Sequence, residues 1–169
     1  MITLRHVLLK IIIMKKIVLL AFLLMPIMLM AKSHKLESFD QVMDALKEGN
    51  TVKAVFYYKD CQMISDNEIE EESVDAIGGM KIETWEFFAK NSIRNKEAFV
   101  VCSTSKLIAN PLGNGYVYNY VKIKIKETGK VKITANYVDS ITHEQTMTEN
   151  FFTEINKGEV GAAHFFVVD

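Results

Sequence analysis

Cys61 and Cys102 are the only cysteines in this 169-residue chain, and each falls at or near the end of a stretch with strand character. In an oxidising compartment an even pair reads as a bridge. It would close a loop of 40 intervening residues and stabilise by up to about 4 kcal/mol through loop entropy. A Cys61–Cys102 disulfide is therefore expected, with two buried, unpaired thiols as the alternative. His143 and His164 would complete a zinc set by ligand type, but no two of the four residues are spaced as a ligand pair. His164 alternates into an apolar run and reads as a satisfied or surface histidine.

The remaining motifs fail on specific positions. His143-Glu144 opens like a zinc-protease helix, but Met147 stands where the second histidine is required. Gly113-Asn-Gly115 starts a dinucleotide fingerprint, yet Tyr118 replaces its third glycine and a strand pattern follows where a helix is needed. Lys124 occupies the first-glycine position of a P-loop ending at Gly129-Lys130, no G-x-S-x-G is present, and the lone Trp85 marks no sugar platform. Asp66, Glu68, Glu70, Glu71 and Glu72 form a hydrated run that cannot raise a carboxylate pKa for acid–base work. It reads as a solvated loop, with weak calcium or basic-partner contact as its functional alternative. No catalytic, cofactor-binding or metal residue is assigned, and no cofactor is called for.

One surface has character. Residues 116–126 and 130–138 alternate as two strands joined by Glu127-Thr-Gly129, a three-residue connection with glycine at the left-handed position. Pairing Lys126 with Lys130 sets Ile125 against Val131, Ile123 against Ile133 and Val121 against Ala135 on one side. The other side gathers Tyr118, Tyr120, Lys122, Lys124, Lys126, Lys130 and Lys132, with Lys124 opposite Lys132. Like charges across a ladder are unfavourable, so this face must meet water or something negative. Its functional reading is contact with an anionic partner, and its bland reading is a solvated face whose lysines prevent edge aggregation.

The elements that position these residues begin after a leader. Residues 1–31 hold Arg5, Lys10, Lys15 and Lys16 and no acid, leaving the body 16 basic against 21 acidic residues, a formal −5. An acidic body argues against a general nucleic-acid binder. Met14-Lys-Lys16, then an apolar run over residues 17–30 and Ala31, has the layout of a secretory signal peptide cleaved after Ala31, with an uncleaved anchor as the alternative because Leu29 is larger than the usual small residue there. The run is short of the about 20 residues a spanning helix needs, and residues 1–13 read as an upstream extension. The single body domain, residues 32–169, is expected to be periplasmic or secreted. Within it, Ser38 caps a helix in which Phe39, Val42, Met43 and Leu46 recur until Gly49-Asn50. Residues 51–59, 80–88, 98–103 and 163–168 read as strands, and residues 147–155 as either strand or short helix. The fold expected is α+β: an N-terminal amphipathic helix packed on a mainly antiparallel sheet that can curl into a barrel.

Ala45-Leu-Lys-Glu-Gly49, Val52-Lys-Ala-Val-Phe-Tyr-Tyr-Lys-Asp-Cys61, Ile77-Gly-Gly-Met-Lys-Ile82 and Thr128-Gly-Lys-Val131 follow one another within residues 39–138. In these the chain resembles the VirK family of small exported bacterial proteins. The resemblance implies export, one small domain and association with virulence or host-interaction gene sets; it supplies no reaction and no catalytic residues. The function expected is a non-enzymatic binding protein of the envelope or host interface, with an unknown protein or envelope component as partner. Its rivals are a small apolar-ligand carrier, with a cavity lined by residues such as Ile123, Ile133 and Phe56, and a hydrolase of unrecognised type.

Overall fold

Ser38 starts helix α1 (Phe39–Lys47) from an extended backbone, its Oγ accepting the Gln41 N–H at 3.2 Å while Gln41 Oε1 accepts the Glu37 N–H at 2.6 Å. Phe39, Val42, Met43, Ala45 and Leu46 turn inward, and Gly49 ends the helix at φ +80. The computed structural model describes residues 14–15, 33–65 and 68–168, so the expected signal peptide lies, apart from two residues, outside the described residues, as does Asp66 of the acidic run. Among the described residues no helix is long and apolar enough to cross a membrane.

Among the described residues eleven strands follow from the alternation of residue types. The smaller sheet takes β1 (His34–Leu36), β2 (Val52–Tyr57), β5 (Ile77–Ile82) and β11 (Ala163–Val167) in the spatial order β1-β11-β2-β5. The larger takes β3 (Gln62–Ser65), β4 (Glu68–Ile69), β6 (Trp85–Phe88), β7 (Phe99–Ala109), β8 (Tyr116–Lys126), β9 (Lys130–Asp139) and β10 (Gln145–Glu154) in the order β4-β3-β10-β9-β8-β7-β6. Neighbouring strands pair antiparallel throughout.

The core combines Val52, Ala54, Phe56, Ala163 and Phe165 of the smaller sheet with Val100, Cys102, Ile123, Ile125, Val131, Ile133 and Phe151 of the larger, and α1 adds its apolar stripe. Phe56, Phe165, Ile123, Ile125 and Ile133 are fully buried.

Two expectations change and one open alternative is decided. The sheets do not close into a barrel: β1, β5, β4 and β6 each remain an edge. Residues 80–88 are two strands, because the chain leaves the smaller sheet after Ile82 and enters the larger at Trp85. Residues 147–155 resolve as strand, since all but the last belong to β10, which pairs with β9 along nearly its whole length. The β8–β9 register is the expected one, with Ile123 opposite Ile133, Lys124 opposite Lys132 and Gly129 at φ +85.

Candidate functional site

The residues singled out for chemistry are dispersed. The expected disulfide is absent: Cys61 and Cys102 are both free and buried. Cys61 donates to the Tyr57 carbonyl at 3.4 Å and lies in hydrogen-bonding reach of Thr153 on β10. Cys102 sits on β7 between Trp85 and Ile123. From β10 to β7 is three strand steps, about 14 Å at the usual spacing, twice the reach of a disulfide. Burial pushes the Cys61 thiol up to about 11 and the Cys102 thiol up to about 12, so neither is a ready nucleophile. His164 packs edge-on against Tyr57 at 5.0 Å and stacks with Phe166. Desolvation first, then nearby Lys35, holds its pKa below the usual value. Among the described residues no three potential metal ligands gather.

The lysine face forms as one surface, but its charges are partly occupied. Lys124 Nζ lies 3.6 Å from the centroid of the Phe99 ring, which itself stacks on Phe88 at 5.0 Å. Lys132 sits 5.3 Å above Phe152, and Lys126 reaches Glu97 at 3.6 Å. A lysine over an aromatic face is held by the ring quadrupole, which offsets the repulsion across the Lys124–Lys132 pair. Lys122 and Lys130 are exposed.

The concave feature lies on the other side of the larger sheet. Ile123 and Ile133 pack without a gap, but one inward step along the strands Val121 and Ala135 floor a cleft of about 440 Å³. Phe151 and Met147 continue the floor; Val74, Ala76, Ile77, Gly78 and Gly79 form the opposing wall. Leu112, from the β7–β8 turn, and Ile77 stand at the mouth, 72% and 67% exposed. The polar groups in the lining are Tyr58, Tyr137, Asn119 and Glu149.

Tyr58 has a defined seat. It leads the 3-10 turn after β2, its ring 4.4 Å from Phe151 and 6.3 Å from Phe56. A Cβ on Gly78 would come within 2.5 Å of its hydroxyl, and one on Gly79 within 3.2 Å of the Ala54 carbonyl. Gly78 thus makes room for the Tyr58 ring, and Gly79 for the close approach of the β2 backbone. Burial, with smaller effects of Cys61 and Tyr137, pushes the phenol up to about 12, so it stays protonated at physiological pH.

Residues 35–143 match the family model described as VirK protein. The chain belongs to the VirK family. Its fold also matches the crystal structure of a VirK family protein from Legionella pneumophila, with TM-score 0.59, 16% identity, 78% of this chain covered and 98% of the other. No curated protein matches it.

Within this VirK domain two of the four segments that carry the resemblance contribute to the cleft: Tyr58 lies in one, and Ile77, Gly78 and Gly79 lie in another. Sequence alternation places Val121 and Ala135 inward but cannot say where two sheets stop touching. The available signal is Asn119 and Tyr137, polar residues at inward positions where a closed core would need apolar ones.

Proposed function

We propose that this VirK domain is a non-enzymatic binding protein of the bacterial envelope or host interface, and that the cleft between its sheets takes a small apolar ligand. The cleft carries the reading. Its volume of about 440 Å³ falls within the roughly 300–1,000 Å³ of ligand pockets, and a mostly apolar wall with a few polar groups is their usual lining. Among the described residues one carboxylate, Glu149, and no cation line it, which favours an uncharged or cationic ligand over an apolar acid. Tyr58 supplies a neutral hydroxyl to orient it. The Lys15-Lys16 start and the apolar run after it support export to the periplasm or beyond, and the family resemblance supports a host-interaction setting. A second reading, contact with an anionic partner, is favoured by five lysines collected on one face of an acidic body.

The test uses N-phenyl-1-naphthylamine, an uncharged fluorescent apolar probe. Wild-type protein recovered from its producing cell should take it up with a blue-shifted emission. Ala135→Phe, which fills the cleft from its floor, should abolish uptake while leaving the far-ultraviolet circular dichroism spectrum unchanged. No uptake by the wild type, or equal uptake by the variant, would sink the reading.

A further inference from the structure

We propose that the outer face of the larger sheet binds an acidic oligosaccharide, its sugar rings resting on Tyr118 and Tyr120 beside Asn136 and its acid groups reaching Lys122 and Lys124. The inference rests on the second reading above, that this face is a contact surface, and it names what the face contacts.

Two adjacent cross-strand rows build the sugar platform. Leu107, Tyr118, Val138 and Gln145 form one, and Ser105, Tyr120, Asn136 and Thr148 the next. The β9–β10 turn closes one side. Asp139 Oδ1 accepts the N–H groups of Ile141 at 2.8 Å and Thr142 at 2.7 Å, and His143, held at φ 61, donates its N–H to the Asp139 carbonyl at 3.1 Å. His143 is thereby brought to the edge of a shallow hollow of about 470 Å³ that the tyrosines and Asn136 also line.

Asn136 supplies the observation that points to a ligand. It is 7% exposed, and its Oδ1 is buried with no hydrogen-bond donor among the described residues. An unpaired buried acceptor costs about 1–3 kcal/mol, and such groups call for an explanation. Asn136 is on the outward face and lines the hollow, so a small turn of its amide toward a bound hydroxyl would supply the missing donor. The other lining groups suit the same ligand. Tyrosine rings present their negative faces to the C–H groups of a sugar ring, and Ser105, His143 and Gln145 both give and accept hydrogen bonds. Among the described residues no carboxylate lines the hollow.

The charge lies along the same strand. Same-face positions on β8 repeat about every 7 Å, so Lys122 is one step and Lys124 two steps beyond Tyr120. An acid group on the sugar held at Tyr120, or on the next, falls beside them. The body's net −5 repels a polyanion at long range, so this attraction works only within about a Debye length, roughly 8 Å at physiological salt.

The probe is an array of oligosaccharides carrying uronate, sulfate or phosphate, each printed beside its neutral counterpart, with phosphatidylglycerol vesicles as a separate arm. The protein should bind acidic members and not their neutral counterparts, more weakly as salt rises. Tyr118→Ala with Tyr120→Ala, and separately Lys122→Gln with Lys124→Gln, should each weaken binding about tenfold or more, the loss of one good contact. Asn136→Leu should weaken it likewise while leaving the melting temperature unchanged or higher, because it removes an unpaired acceptor. A merely structural Asn136 would instead lose stability and keep binding. Equal capture of neutral counterparts, capture by vesicles alone, or no capture at all would overturn the proposal. Ala135→Phe acts on the opposite side of the sheet and should leave saccharide binding intact, so failure of the cleft reading and failure of this one are separable.

Discussion

Cys61 and Cys102 illustrate how a residue's chemistry is decided by its surroundings. Each thiol is raised mainly by desolvation, to about 11 and about 12. A buried thiol that holds its proton well above neutral pH alkylates slowly. Folded protein exposed to iodoacetamide at pH 8 should therefore stay unlabelled over an hour, whereas denaturation without reductant should yield two labels per chain by mass spectrometry. Two labels on the folded protein would mean that the strands around Cys102 open readily. Zero labels on the denatured protein would restore the bridge. The even cysteine count was legible in the sequence, but pairing depends on which strands lie between Cys61 and Cys102. That order is set by the whole sheet and is written in neither residue's neighbourhood.

At the scale of elements, the contact of Tyr58 with β5 is the most exposed to test. Adding a methyl group at Gly78 drives a Cβ to within 2.5 Å of the phenol oxygen, and the ring is already packed 4.4 Å from Phe151. Gly78→Ala should lower stability by about 1–3 kcal/mol, as overpacking does. Tyr58→Leu, which shortens the obstructing side chain, should make the same change at Gly78 nearly neutral. The coupling is read from urea midpoints in a double-mutant cycle, and additive effects would refute the assignment. The β8–β9 hairpin was legible in full because a glycine turn and the alternation of Ile123, Ile125, Val131 and Ile133 specify the same register. Helix α1 was legible for a similar reason, its cap and its apolar stripe agreeing. The split of residues 80–88 was not, because Ile82 and Trp85 each satisfy a strand pattern and only the packing assigns them to different sheets. The cleft was missed for that reason too: it lies where β5 and the larger sheet separate, and no single strand encodes a separation.

For the whole molecule, the buried phenol and thiols set an alkaline limit. Unfolded, the thiols ionise near pH 9 and the tyrosine near 10; folded, they hold their protons to about 11–12. Between these values the native state binds more protons than the unfolded one, so stability is fully present below pH 9 and falls as pH rises toward 12. Urea midpoints should be flat from pH 7 to 8.5 and decline steadily above pH 9, and Tyr58→Phe should soften the decline above pH 10. A midpoint unchanged at pH 11 would contradict the burial of all three groups. The same two sheets also dictate when the domain can exist at all. In the smaller sheet β11, after every other strand in the chain, lies between β1 and β2. Residues 34–57 therefore leave the ribosome with the place of their shared neighbour still empty, and the sheet acquires its centre only when residues 163–167 arrive. Pairings so distant in sequence form slowly. Until then the smaller sheet stays incomplete, and the last strand is the latch that closes it.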